Sequence, residues 1–259
     1  MRSYTLLNTI AFVAVLVVNY LSNSLPLNGK TPAQLSDQYP NLFVPAGLTF
    51  AIWGVIYTWL LVWVGAQVVA LFNTRLQQAL EAGVHKAGYW FAGTCVLNIA
   101  WLLAWHWEQL PLSVGIMVAL LATLWQLNRR AGVGTAATNA REKWLAHAPF
   151  GLYQGWITIA LIANVTAFLV SAGWSGAGIA ESSWATLMLV AGTLIATTVI
   201  RKTDNVFHGL AVAWALLGVY LKRHDAGDPE SLLPARIALL SLAIVLIWVA
   251  LRWRRWLAY

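Results

Sequence analysis

Charge is scarce in this chain. Only 10% of its 259 residues are Asp, Glu, Lys or Arg, against 60% hydrophobic. Soluble domains carry about 25% charged residues, so a soluble fold of this composition lacks the charge to cover its surface. A polytopic membrane protein needs little, because lipid is its main solvent. Cysteine is nearly absent as well. Cys95 stands alone inside an apolar run, which excludes a disulfide framework within one chain and a cysteine-based metal site, and reads as an inert buried thiol. The interiors of the apolar runs contain no Asp, Glu, Lys or Arg at mid-depth. Ion-coupled transporters and proton pumps place such groups there, and a retinal protein needs a buried lysine, so all three classes are disfavoured. There is no His-Glu-x-x-His, no Gly-x-Ser-x-Gly and no phosphate loop, and therefore no motif for an enzyme. His85, His106, His147, His208 and His224 show no repeated spacing within one helix, and His106 and His147 fall at opposite faces of the membrane, so a shared haem iron is not expected.

What is present is apolar length. Runs of about 20 apolar residues cross a bilayer as helix, and eight are found, near 4–22, 45–72, 88–107, 110–128, 146–172, 184–200, 206–222 and 234–252. The expected fold class is all-α: a polytopic membrane protein of eight transmembrane helices. The first run is expected to be a retained helix and not a signal peptide, since its apolar region is long and Ser22-Asn23-Ser24 is a weak cleavage site. Glu108, Gln109 and Leu110 alone separate the third and fourth runs, with Pro111 opening the next helix, which forces a tight antiparallel hairpin.

The net charge of +7 reads as topology and not as nucleic-acid binding, because the basic residues sit in short clusters between apolar runs. Arg2, Arg75, Lys86, Arg129, Arg130, Arg141, Lys143, Arg201, Lys202, Arg252, Arg254 and Arg255 fall on one side. Lys30, Lys222, Arg223 and Arg236 fall on the other. This division of twelve against four accounts for all 16 basic residues and assigns the larger set, with both termini, to the cytoplasm. The long outside loop, 23–44, holds Pro26, Asn28, Gly29, Pro32, Asp37 and Pro40 and reads as an ordered cap, with Thr31 as N-cap of a short helix. The stretch 223–233, with Asp225, Asp228 and Glu230, reads as a solvated turn. The interior polar set is amide and hydroxyl: Asn19, Gln67, Thr94, Asn98, Thr158, Asn164 and Thr166. These groups are costly in lipid unless bonded, so they are expected to face other helices.

Tryptophan is in excess, at 16 residues. Trp90, Trp107, Trp125, Trp144, Trp174, Trp184, Trp253 and Trp256 suit the membrane interfaces, where Trp concentrates. Trp53, Trp59, Trp63, Trp101, Trp156 and Trp214 sit deeper. Buried indoles facing one cavity suit a flat aromatic ligand. Asn98, Trp101 and Trp105 form one helical stripe, and Tyr153, Trp156, Ala160 and Asn164 another.

Three segments, in order, resemble the TspO family, the tryptophan-rich sensory or peripheral benzodiazepine receptor/translocator proteins. Pro45 and the following residues lead to Ala51-Ile52-Trp53 and then Tyr57, similar to the family's Pro-Val-Trp-x-x-x-Tyr, with Ala51 in place of the proline. Leu97-Asn98-Ile99-Ala100-Trp101 resembles the third-helix Leu-Asn-x-x-Trp. Tyr153-x-x-Trp156 and Asn164 resemble the fifth-helix pattern, although Leu152 replaces the usual proline before the tyrosine and Pro149 lies a turn earlier. The resemblance covers residues 1–172 and implies a five-helix bundle capped by 23–44, with 173–259 supplying three additional helices and a basic C-terminus. It implies a receptor for a porphyrin, haem-like or other flat hydrophobic ligand, held by Trp53, Tyr57, Asn98, Trp101, Tyr153, Trp156 and Asn164, with no required cofactor and no metal. The implied partners are the lipid bilayer and that small molecule, with no nucleic acid; oligomers are compatible, and the expected location is a bacterial cytoplasmic membrane. Porphyrin breakdown, proposed for the family, finds no acid–base or metal chemistry in this sequence. Two alternatives stay open: a carrier of a neutral or amphipathic molecule gated by the last three helices, and a scaffold or sensor acting through a protein partner.

Overall fold

A computed structural model describes residues 1–25, 27–135 and 139–258; Pro26, assigned above to the capping loop, lies outside them. Among the described residues there are helices and no β-strand. The long helices are α1 (Arg2–Ser24), α3 (Ile52–Ala70), α4 (Thr74–His106), α5 (Leu110–Ala131), α7 (Ala148–Ser171), α8 (Glu181–Thr203), α9 (Val206–Ala226) and α10 (Pro229–Ala258). Two short ones are α2 (Pro32–Asp37) and α6 (Ala140–Glu142), the latter running into α7 through a π turn at Lys143–His147.

Among the described residues, seven helical segments have the length and apolarity to cross a membrane, one fewer than the eight runs counted in the sequence. The remaining helix, α9, has 21 residues but carries His208 near its start and Lys222, Arg223, His224 and Asp225 at its end. It packs against α7, α8 and α10, so protein and not lipid surrounds much of it, which relaxes the demand for apolar side chains. Two boundaries also differ from the sequence reading. The third run, expected from residue 88, is the second half of α4; Gly88 (φ +51) breaks the helix there, and an amphipathic stretch from Thr74 precedes it. The expected solvated turn 223–233 shrinks to Gly227 and Asp228, because α9 and α10 continue through the rest.

α1, α3, α4, α5 and α7 form a bundle, and α9 docks on α7 with α8 and α10 behind it. One continuous apolar core joins all of them, from Phe12 on α1 to Trp256 on α10. Trp256, expected at an interface, is buried among Trp144, Phe207 and Trp253. Backbones approach closely at the α7–α9 seam: a Cβ placed on Gly155 would lie 2.3 Å from the backbone oxygen of His208. Small residues allow such backbone approach in membranes, where packing, not hydrophobic exclusion, drives helix association.

The interior amides behave as the sequence suggests, with partners it did not name. Asn8 Nδ2 donates to Gln67 Oε1 at 3.0 Å, and Thr158 and Thr166 donate back to carbonyls one turn earlier. Charged pairs gather at the two ends. At one end Lys30 meets Glu108 (2.9 Å) and Lys222 meets Asp37 (2.7 Å). At the other, Lys86 meets Glu142 (3.1 Å), Arg252 meets Asp204 (3.1 Å), and Lys143 Nζ donates to the Leu257 carbonyl (2.8 Å).

The capping loop is ordered for identifiable reasons. Thr31 and Gln34 form a reciprocal capping box with Pro32 in the first turn of α2. Asn41 Oδ1 accepts the backbone N–H groups of Phe43 and Val44. Leu35 and Phe43 are wholly buried, each contributing roughly 1.5–3 kcal/mol from apolar area. Glu108, at the α4–α5 hairpin, adds a clasp: it accepts from Lys30 at 2.9 Å and from the Tyr39 hydroxyl at 3.0 Å. Those two bonds hold its pKa below the ordinary carboxylate value. Partial burial, and then the Glu108 bond, pushes the Tyr39 phenol up to about 12.

The clasp is half-exposed and therefore worth about 0–1 kcal/mol, less than the apolar anchors. Its contribution is present above about pH 4.3, the free Glu value, and is lost as pH falls through the depressed one. The Tyr39 side is lost only as pH rises through about 12. Amide protection factors for residues 30–39 are thus expected to stay constant from pH 5 to 9, and to drop by less than about tenfold in Glu108→Gln. A collapse of protection in that variant would make the ion pair, and not Leu35 and Phe43, the anchor.

Candidate functional site

The segment leading into α3 is irregular from Asn41 to Ala46 and closes with a 3-10 turn at Gly47–Ala51. Irregular backbone at membrane depth must find partners in protein, and α9 supplies them. The Ala46 N–H donates to the Gly218 carbonyl at 3.0 Å, and Trp214 Nε1 donates to the Thr49 carbonyl at 2.8 Å. This bracing sets the point from which α3 starts, and with it the position of Trp53.

Trp53 then lies at the centre of an aromatic wall. Its ring stacks on Tyr57 (centroids 5.0 Å, 18° between planes) and meets Tyr153 (5.7 Å) and Trp156 (6.1 Å) edge to face. Such pairs are worth about 0.5–1.5 kcal/mol beyond their buried area. Behind the wall runs a chain of amides and hydroxyls. The Tyr57 hydroxyl donates to Asn19 Oδ1 at 3.0 Å, with Asn98 Oδ1 3.3 Å away. Asn19 Nδ2 donates to Asn98 Oδ1 at 3.1 Å, and Asn98 Nδ2 to the Tyr153 hydroxyl at 3.0 Å. A second group lies deeper: Trp101 Nε1 donates to Asn164 Oδ1 at 2.8 Å, and Asn164 Nδ2 to Ser113 Oγ at 2.8 Å.

In front of the wall is a cleft of about 580 Å³, within the usual range for small-molecule sites. Leu16, Asn19, Tyr20, Asn23 and Ser24 of α1 form one side, and Trp53, Gly54 and Tyr57 of α3 with Phe50 form the other. Trp101 and Leu102 of α4 close the back, and Pro32 and Ala33 of the capping loop form the roof. A small recess of about 50 Å³, which shares Pro32, Phe50, Trp53 and Trp101 with it, is lined also by Trp105, Trp156 and Asn164. The seven residues expected from sequence therefore come together, in three positions. Trp53, Tyr57 and Trp101 line the cleft, and Trp156 and Asn164 line the recess. Asn98 and Tyr153 line neither; they are buried behind Tyr57 as the hub of its hydrogen bonds.

Sequence reasoning placed Asn19 in the interior polar set without assigning it to the site, and did not single out Phe50, Tyr20 or Ser113. Asn19 had a detectable signal, an amide in an otherwise apolar run. Phe50 and Tyr20 had none, since an aromatic residue near a helix end is common. A separate cavity of about 620 Å³ lies between Pro40–Phe43, the end of α7, Trp174 and α8. It is slightly larger, but none of the seven residues reaches it.

Fold and site together define a polytopic helical membrane protein with an aromatic-walled cleft beneath the loop that carries Pro32 and Ala33. The model of the TSPO-like protein family matches residues 5–252, nearly the whole chain, and the chain belongs to that family. No curated protein and no solved structure matches it. The family match runs through residue 172 and includes α8, α9 and most of α10.

Proposed function

We propose that this integral membrane protein is a TspO-like receptor or sensor that binds a porphyrin or another flat hydrophobic molecule in its tryptophan-rich cleft. The observation that carries the reading is the convergence of Trp53, Tyr57 and Trp101 on one capped cleft, with Trp156 just beyond it. The indoles stack on the ligand, while Asn98 and Tyr153 keep Tyr57 in place. None of the described lining residues is charged, which suits a flat hydrophobic ligand. Both termini are assigned to the cytoplasmic side, with the larger set of basic residues. A carrier gated by the last three helices is less well supported, because α9 is packed backbone to backbone on α7 and braces the start of α3.

Quenching of intrinsic tryptophan fluorescence by protoporphyrin IX and haemin tests the reading. Saturable quenching is expected, and Trp53→Phe is expected to weaken it by about three- to tenfold, as for one lost aromatic pair, with unfolding temperature nearly unchanged. Absence of saturable binding by folded protein removes the porphyrin reading. Unchanged affinity in Trp53→Phe removes Trp53 from the contact surface.

A further inference from the structure

The cavity of about 620 Å³ at the end of α7 and the start of α8 shares no lining residue with the aromatic cleft or its recess. Its walls are mainly apolar: Val165, Leu169 and Val170 from α7, Met188 from α8, and Leu42 and Phe43 from the capping loop. Local bonds hold these walls apart. Asn41 fixes the loop wall through the N–H groups of Phe43 and Val44. The turn between the helices is closed by the Trp174 N–H, which donates to the Leu169 carbonyl at 3.0 Å, and by Trp184 Nε1, which donates to the Gly176 carbonyl at 2.7 Å. The volume falls in the usual range for small-molecule sites.

Two features of the lining point to a positive charge. One is an aromatic corner, where Trp174 and Trp184 meet with centroids 4.9 Å apart and 61° between planes. Trp184 spends its N–H on Gly176, which leaves its ring for the cavity, and indole faces attract cations. The other is Glu181, the one charged residue among the described lining residues. Among the described residues it makes no ion pair within 4 Å. Arg223 of α9 lies within its electrostatic influence, but within that of Asp228 as well, so one cation is shared by two carboxylates. Lys30 and Lys222 are taken by Glu108 and Asp37. This end of the bundle carries six of the nine carboxylates (Asp37, Glu108, Glu181, Asp225, Asp228 and Glu230) against four of the 16 basic residues. It is therefore net negative in a chain of net charge +7, and such a field concentrates cations.

We propose that this cavity is a second binding site, for an amphipathic organic cation. The apolar body of the ligand lies between α7 and α8, and its charge is held by Glu181 and the Trp174–Trp184 corner. An anion of the same shape meets a carboxylate instead. A phospholipid is the poorer occupant, because even a zwitterionic headgroup brings a phosphate up to Glu181, and like charges in contact are costly. The proposal does not depend on what the aromatic cleft binds.

Equilibrium dialysis of tetraphenylphosphonium against full-length protein in phosphatidylcholine nanodiscs tests the site. Partition into empty nanodiscs is subtracted, and tetraphenylborate serves as the anion of matching shape. Saturable binding is expected, at least about fivefold tighter for the phosphonium than for the borate. Glu181→Gln is expected to weaken the phosphonium by about three- to fivefold, as for a solvated ion pair. Trp174→Leu, which keeps an apolar wall and removes the ring, is expected to weaken it by about two- to fivefold. Unfolding temperatures measured alongside separate lost binding from lost fold. Tryptophan quenching by protoporphyrin IX is expected to be the same in Glu181→Gln as in the parent protein, so failure of the porphyrin reading and failure of this one are read separately. Borate bound as tightly as phosphonium shows an apolar groove without charge selection and overturns the proposal. Unchanged phosphonium affinity in either folded variant overturns it too, as does the absence of saturable binding to the folded parent protein.

Discussion

Replacing Gly155 by alanine is expected to destabilise the protein by about 3 kcal/mol, the upper part of the range for overpacked interiors. The added methyl would sit 2.3 Å from the His208 oxygen and 2.8 Å from its Cα. Both are backbone atoms of α9 and cannot rotate away, so the helices must separate. Gly115 and Gly65 provide the contrast: a Cβ at either meets nothing within 4 Å. Alanine there is expected to stabilise by up to about 1 kcal/mol through helix propensity. Thermal unfolding in one detergent, read for all three variants, checks the pattern. A Gly155→Ala protein as stable as Gly115→Ala would mean that α9 is not seated on α7 as described. The variant also carries a functional consequence. Trp156 follows Gly155 in the chain, and α9 braces the start of α3, so opening this seam displaces both sides of the recess. Ligand affinity is expected to fall with stability, although neither Gly155 nor His208 lines the cleft.

Asn98→Ala is expected to cost about 2–4 kcal/mol. The side chain is buried (1% exposed) and joins Asn19, Tyr57 and Tyr153. Interhelical hydrogen bonds in membranes average roughly 0.6 kcal/mol with a maximum near 1.7, and truncation also leaves hydroxyl and amide groups unpaired in an apolar interior. The double variant Asn98→Ala/Tyr153→Phe identifies the hub. Removing Tyr153's hydroxyl takes away the partner that the first substitution strands, so the combined loss is expected to be smaller than the sum of the two. Strict additivity would show the two groups to be energetically independent. In binding, Asn98→Ala is expected to loosen Tyr57, whose ring stacks on Trp53. A weaker ligand affinity here, from a residue outside the cleft wall, distinguishes positioning from contact.

Much of this architecture was legible in the chain because the bilayer is a simple constraint. A run of about 20 apolar residues has few options in lipid, which is why the membrane helices stand close to where the apolar runs predict them. The tight α4–α5 hairpin followed from Glu108, Gln109 and Pro111, and the start of α2 from Thr31 as N-cap before Pro32, because caps and turns are local chemistry. Stripes of Trp, Tyr and Asn on three helices followed from the helical period, and the structure brings all seven of those residues together.

Three things were not local and needed the tertiary structure. The role of each stripe residue was one. Asn98 and Trp101 lie three apart on the same stripe, yet Trp101 lines the cleft and Asn98 is spent on Tyr153 behind it. Helical spacing gives a face to within about a quarter turn, and the difference between wall and backing lies inside that margin. The place of α9 was the second. The sequence reading counted it only as one of three additional spans, whereas it is buried against α7, α8 and α10, and the Ala46–Gly218 and Trp214–Thr49 bonds join it to residues far away in sequence. The unpartnered Trp156 N–H was the third. Sequence determined that the chain spans a membrane and which aromatic residues share a face, since these depend on composition and period, and short motifs around Trp53, Trp101 and Trp156 carried the family resemblance. Only the folded structure decided which donors are paired, because that depends on which acceptors the other helices bring within reach.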